Sequence, residues 1–237
     1  MSFLKAEWRK LAIANFEIDK KILQEHVPYG TELDLWKNKC YLSLVGFMFV
    51  NTKVLGVKVP YHTNFEEVNL RFYVKRFDKG EWKRGVVFIK EIVPRIAISC
   101  VANVLYNENY QALKMCHRWE ELEKGRLVEY QWKKNGQWQT FKIISEKESA
   151  EINANSETEF ITEHYWGYSK RKNGSSNEYE VTHPKWRHYE VLDYSIEIDF
   201  KKTYGAVFEF LNSKEPCSVM LAEGSEISVE GKTIISK

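Results

Sequence analysis

The chain has 237 residues, of which 43% are hydrophobic and 29% charged, with a formal charge of +2. That apolar share suits a folded globular chain and excludes a disordered one. The near-neutral balance gives no reason to expect a nucleic acid or an anionic membrane as partner. The opening "MSFLKAEWRKLAIANFEIDKK" lacks the apolar core of a signal peptide, and no run approaches the roughly 18 apolar residues of a membrane span. Cys40, Cys100, Cys116 and Cys217 are scattered, with no CxxC and no histidine at zinc spacing. Reduced thiols, a cytoplasmic location, no metal and no cofactor are therefore expected.

In chain order, "NFEIDKKILQEHVP" (15–28) predicts a helix ending before Pro28, with Ile22, Leu23 and Val27 on its apolar side. "KNK" after Trp36 is a turn between strands. "CYLSLVGFMFV" (40–50) is nearly continuous in apolar residues, as for a strand covered on both faces or facing an apolar cavity. After a loop around Gly56 and Pro60, "NFEEVNLRFYV" (64–74) alternates as a strand. "DKGEWKRG" is a turn and "VVFIKEIV" (86–93) a further strand. Pro94 opens a predicted helix over 94–116 that breaks near residues 107–109. "RLVEYQWKKNGQWQTFKIIS" is a hairpin on Asn135-Gly136, and "SAEINANSETEFI" is a polar excursion. A second hairpin turns around Asn173-Gly174, where the basic "SKRKNG" forms a solvated tip. "YSIEIDF" and "GAVFEFL" read as strands, and the tail after Ser218 is strand-like before it frays. No repeat or linker divides the chain, so 1–237 reads as one mainly β domain with a few helices, a barrel or two packed sheets.

Four constellations can carry chemistry. On the strand 64–74, one face is Val68, Leu70, Phe72 and Val74; the other is Glu67, Asn69, Arg71 and Tyr73. The polar face is either a solvated salt-bridge ladder or a cavity wall, in which Arg71 can grip a carboxylate in bidentate fashion. Glu91 alternates with Val87 and Ile89. It is either a carboxyl on an apolar face, raised in pKa and suited to general acid work, or a strand-end partner of Arg84 or Arg95. A two-residue Asn173-Gly174 turn pairs His164 with His183 and Tyr168 with Tyr179, Cβ atoms about 4.5–5.5 Å apart. Two histidines without a third ligand make a hydrogen-bonded pair or a cavity rim before they make a metal site. Lys114, if it enters an apolar pocket, is a candidate Schiff-base nucleophile; otherwise it is solvated. There is no GxGxxG, GxxxxGK[ST], GxSxG or HExxH.

"HVPYGTELDLWKNKCYLSLVGFMF", "PYHTNFEEVNLRFYV", "RGVVFIKEIVPR", "EHYWGY" and "YEVTHPKW" resemble the motifs of the YqjF-like family, a bacterial family of unknown function. That family is in turn remotely similar to acetoacetate decarboxylase. The resemblance implies a closed, cone-like antiparallel β-barrel with a few packed helices around a buried cavity. It likens Glu91 and Glu67 to the two site glutamates of the decarboxylase. Tyr110 falls on the tyrosine of that enzyme's "YPKK", but Gln111, Ala112 and Leu113 then replace the proline and both lysines. Lys114 lies two residues beyond the nucleophile's place, so the Schiff-base role is not carried over to it. Three readings follow. The first is a cavity that binds a small, anionic, keto-acid-like molecule through Asn69, Arg71, Tyr73, His164 and His183. The second is an enzyme acting on such an acid by general acid–base chemistry at Glu91 or Glu67, lyase-like but without the lysine. The third is a degenerate barrel serving protein interaction. A homo-oligomer is compatible with each.

Overall fold

The computed structural model describes residues 2–236. In chain order its elements are β1 (Leu4–Glu17), α1 (Lys20–Leu23), β2 (Glu32–Leu33), β3 (Tyr41–Val54), β4 (Phe65–Asp78), β5 (Glu81–Val93), α2 (Ile96–Tyr106), β6 (Tyr110–Ala112) and β7 (Met115–Glu121). They continue with β8 (Arg126–Lys134), β9 (Gln137–Glu151), α3 (Glu157–Thr162), β10 (Trp166–Lys170), β11 (Ser176–Thr182), β12 (Arg187–Glu197), α4 (Phe200–Tyr204), β13 (Ser218–Val229) and β14 (Thr233–Ile235). The fold is mainly β sheet with a few short helices.

Strand pairing runs β11–β10–β5–β4–β3–β1–β13, and β13 also pairs back with β11, so this part of the sheet closes on itself. From β13 the sheet continues through β12, β9, β8 and β7. β10 and β6 run parallel to β5, and the other pairings are antiparallel. β1, β3 and β4 are covered on both sides. Their alternate residues Leu11, Ile13, Val45, Phe47 and Phe49 belong to one core. Ala12, Leu44, Leu70 and Phe72 belong to a second, shared with Val128, Tyr130, Trp132 and Phe141 of β8 and β9. Double coverage is the reason "CYLSLVGFMFV" carries almost no polar alternation. Gly46 is required there, because a Cβ would lie 2.7 Å from Cδ2 of Tyr130.

Several expected elements differ. The helix expected over 15–28 shrinks to α1 and a 3₁₀ turn at Gln24–His26, and Asn15 to Glu17 complete β1. A doubly covered strand has no polar alternation to tell it from a helix. The helix expected over 94–116 ends at Tyr106, where Asn107 adopts a left-handed conformation. Residues 110–112 leave it to pair with β5. "GAVFEFL" forms a 3₁₀ segment, Ala206–Ser213, whose buried Phe208 and Leu211 lie three apart, one turn of that helix. The Asn135-Gly136 hairpin forms as expected, with φ of 49° and 82° at the two turn residues.

The second hairpin is shifted. Its loop spans residues 171–175, and Trp166 pairs with Glu180, Gly167 with Tyr179 and Tyr168 with Glu178. The longer loop moves the register by one, which reverses the faces. His164 and His183 are therefore not cross-strand partners.

Candidate functional site

β4 is buried on both faces. Val68, Leu70, Phe72 and Val74 enter the second core, while Glu67, Asn69 and Arg71 line a cavity of about 320 Å³. Its walls are mostly apolar, including Phe47, Phe49, Phe65 and Phe88, and α2 supplies Ala97, Ile98, Val101 and Ala102. Tyr73, the next residue on the polar face, is buried beside this lining and is not part of it. Its hydroxyl lies 2.7 Å from Ser43 Oγ, which donates to Asn15 Oδ1 at 2.5 Å.

Glu91 reaches the cavity by an irregularity in the sheet. Leu70 pairs with Lys90 and Arg71 with Phe88, so Ile89 is skipped. This bulge returns β5 to the opposite face. Val87 and Ile89 go to the second core; Val86, Phe88 and Glu91 face the cavity. Glu91 does not share the face of Val87 and Ile89, as simple alternation implies. It stands across from Asn69.

Three carboxyls and two phenols crowd one wall. Asn69 Nδ2 donates to Glu67 Oε1 at 3.0 Å, and Tyr110 Oη donates to Glu67 Oε2 at 3.1 Å. Tyr179 Oη donates to Glu108 Oε1 at 3.0 Å. That last contact depends on Gly167, since a Cβ there would lie 2.1 Å from Cζ of Tyr179. Burial pushes Glu67 up to about 7, against the hydrogen bonds from Asn69 and Tyr110 and the charge of Arg71. Glu108 is partly exposed, yet desolvation at the cavity, with the charge of Glu67 adding to it, pushes its carboxyl up to about 8. Glu91 is raised well above the carboxylate range by burial and then by the charges of Glu108 and Glu67. Its Oε2 has no hydrogen-bond partner.

Arg71 is 6% exposed. Its Nε is buried without a partner, and its guanidinium makes no hydrogen bond or ion pair with any described residue. The guanidinium carbon stands 5.8 Å from the Tyr73 ring centre.

At the other end of the β4 face, the buried ring of His164 packs 4.7 Å from Tyr73 and 5.2 Å from Phe160. Its Nε2 lies 3.3 Å from Asp34 Oδ2, which also accepts from Arg84 Nε at 2.6 Å. Burial would raise Asp34, but the hydrogen bonds from His164 and Arg84 outweigh it and hold the carboxyl below its ordinary value. Burial pushes His164 down to about 4. His183 lines the cavity, stacked 4.2 Å from Trp186 and tilted against Tyr165 at 4.6 Å. Among the described residues no three His, Cys, Asp or Glu side chains are grouped to hold a metal.

Lys114 does not reach this cavity. It is exposed, with its ammonium 5.9 Å from the Trp138 ring centre, in a separate surface cleft with Met48 and Glu66. The physical reason is that residues 110–112 are strand and not helix: Tyr110 turns inward and the chain then leaves toward β7. No described lysine lines the cavity. Glu108, Tyr179, Asp34 and Arg84 are site residues that sequence reasoning does not select. The one local signal is the polar "NEN" at 107–109 after an apolar helix.

The sheet and its cavity define a fold shared with acetoacetate decarboxylase-like proteins. An acetoacetate decarboxylase-like enzyme from Sphingomonas wittichii RW1 superposes with a TM-score of 0.67 at 11% identity, over 100% of this chain and 94% of that one. Acetoacetate decarboxylase from Legionella pneumophila gives 0.67 at 11%, over 98% and 87%. The enduracididine biosynthesis enzyme MppR, solved with pyruvate, gives 0.70 at 10%, over 100% and 91%. The chain belongs to the DUF2071 family of uncharacterized conserved proteins, whose pattern it matches over residues 5–226. It is also 33% identical over 86 residues to the uncharacterized protein YqjF of Bacillus subtilis, a match spanning 36% of this chain and about a third (34%) of that protein.

Proposed function

We propose that the cavity binds a small, anionic, keto-acid-like molecule, and that the closed run of strands around it is a cone-like barrel. One observation carries this reading: Arg71, a permanently charged group, is buried with no counter-ion and an unpaired Nε. A buried guanidinium left in that state is strongly unfavourable unless an anion completes it. The nearby carboxyls do not serve, because their raised pKa values keep much of the cluster protonated near neutrality. A volume of about 320 Å³ is within the usual range for ligand pockets, about 300–1,000 Å³. That open volume also favours a ligand over a purely structural role. The scattered cysteines support a cytoplasmic setting as part of the same proposal.

The test is calorimetric titration with 2-oxo acids. Arg71→Ala is expected to weaken carboxylate binding by about 1.5–3 kcal/mol, the worth of a hydrogen bond to a charged group. Lysine at the same position is expected to restore only part of it, lacking the planar fork. Equal affinity in wild type and Arg71→Ala rules out the clamp.

The second reading, catalysis by general acid transfer, is favoured by Glu67. A carboxyl poised at about 7 has the proton affinity that such chemistry needs. Glu91, raised in the same direction, is its reserve.

A further inference from the structure

We propose that Asp34 and His164 form a base of fixed tautomer on the cavity wall, and that it removes a proton from the carbon beside the carbonyl of a 2-oxo acid held on Arg71. The inference rests on the Arg71 reading above and names a chemistry for the same cavity.

His164 lines the cavity and Asp34 does not. Asp34 is tied to the sheet, its backbone N–H donating to the carbonyl of Tyr73 at 3.0 Å. Its carboxylate accepts from His164 Nε2, so the proton of the neutral ring sits on Nε2 and the lone pair on Nδ1. That Nδ1 is buried and has no partner among the described residues. The Tyr73 and Phe160 rings fix the plane of the imidazole. A buried acceptor nitrogen, oriented from behind by a carboxylate and unused by the protein, has the geometry of a general base. Burial holds the ring at about 4, so it is neutral and free to accept at neutral pH, but a weak base.

Its place relative to the other groups matters as much. Along β4 the polar face runs Tyr73, Arg71, Asn69, Glu67, with about 7 Å between successive members. His164 packs at the Tyr73 end and the protonatable cluster begins at Glu67. Arg71 lies between, close enough to bear on the charge state of both His164 and Glu67. An acid anchored on Arg71 thus has the His164 base on the Tyr73 side. The step balances without a cofactor. The C3–H bond of the 2-oxo acid breaks and its proton joins Nδ1. The C–H electron pair becomes the C2=C3 bond, and the carbonyl pair moves onto the oxygen to give the enolate, whose charge the Arg71 guanidinium balances. The reverse transfer, in heavy water, leaves deuterium at C3.

The experiment follows the C3 proton signals of phenylpyruvate and 2-oxobutanoate by NMR in heavy water, with binding of each measured in parallel. Exchange about tenfold or more above buffer is expected, since general bases contribute roughly 10²–10⁴-fold. His164→Gln is expected to lose that excess while affinity changes less than about threefold, because the anion is held by Arg71. Asp34→Asn is expected to lower exchange as a positioning change. Because Asp34 also holds Arg84, melting curves check that this variant is folded, and His164→Gln decides the matter alone. Binding without exchange, or exchange that survives in His164→Gln, overturns the base and leaves the Arg71 clamp standing. No binding of either acid overturns the clamp and the base together.

Discussion

Glu67 has the most direct consequence at the scale of single residues. Its folded carboxyl is raised to about 7 and that of Glu108 to about 8, from an ordinary 4.5. Between those limits the folded chain binds more protons than the unfolded one, so stability falls as pH rises through the window and levels off above it. Urea unfolding at pH 5 and pH 8 is expected to differ by about 2–3 kcal/mol from Glu67 alone, at about 1.4 kcal/mol per pKa unit. Glu67→Gln, neutral at every pH, is expected to flatten that slope; an unchanged slope places the titration elsewhere. Much at this scale was legible in the sequence. The pattern Glu67-x-Asn69-x-Arg71 predicts one polar face, and that face lines the cavity. Glu91 was legible as an inward carboxyl only for the wrong reason. Strict alternation groups it with Val87 and Ile89, and it is the bulge at Ile89 that frees it from them.

Among elements, the β10–β11 hairpin decides which aromatic group meets which acid. Gly167 opposite Tyr179 leaves room for the phenol to lie over the backbone and reach Glu108. Gly167→Ala is expected to destabilise the chain by about 1–3 kcal/mol through overpacking. Tyr179→Ala in the same chain removes the clash and is expected to recover part of that loss, a coupling readable in a double-mutant cycle. Strictly additive losses would mean that the ring has room to move. Neither residue stands out in the sequence, because an Asn-Gly pair points to a two-residue turn while Arg171 and Ser175 close a longer loop here. A one-residue shift of register is invisible to composition, yet it reverses both faces of a strand. α2 shows the same limit. Its apolar run was legible, but its end at Asn107 was not separable from the strand that follows.

Over the whole molecule, the two cores explain both what pattern reading recovers and what it loses. Strands with one wet face, such as β8 and β9, announce themselves by alternation. β1, packed between two cores, does not, and its last turn of sequence looks helical. Because the cavity and the β8–β9 layer lie on opposite sides of β3, they are expected to respond separately. Tyr130→Ala, in a fully buried position, is expected to cost about 3–5 kcal/mol of stability with little change in affinity for an anion on Arg71. A large affinity loss at preserved fold would show that the layers are coupled. α2 carries a different implication. Its Asn103 and Ser99 side chains grip the backbone of Tyr110 at 2.7–3.1 Å, and only residues 107–109 separate the helix from that strand. Four of its residues roof the cavity, while the segment it drags behind it bears Glu108 and Tyr110. Roof and acid wall are thus one piece of chain. Raising the helix to let a molecule in would draw Glu108 and Tyr110 away from Glu67 and Glu91, which stay on the strands, and lowering it would bring the cluster together again.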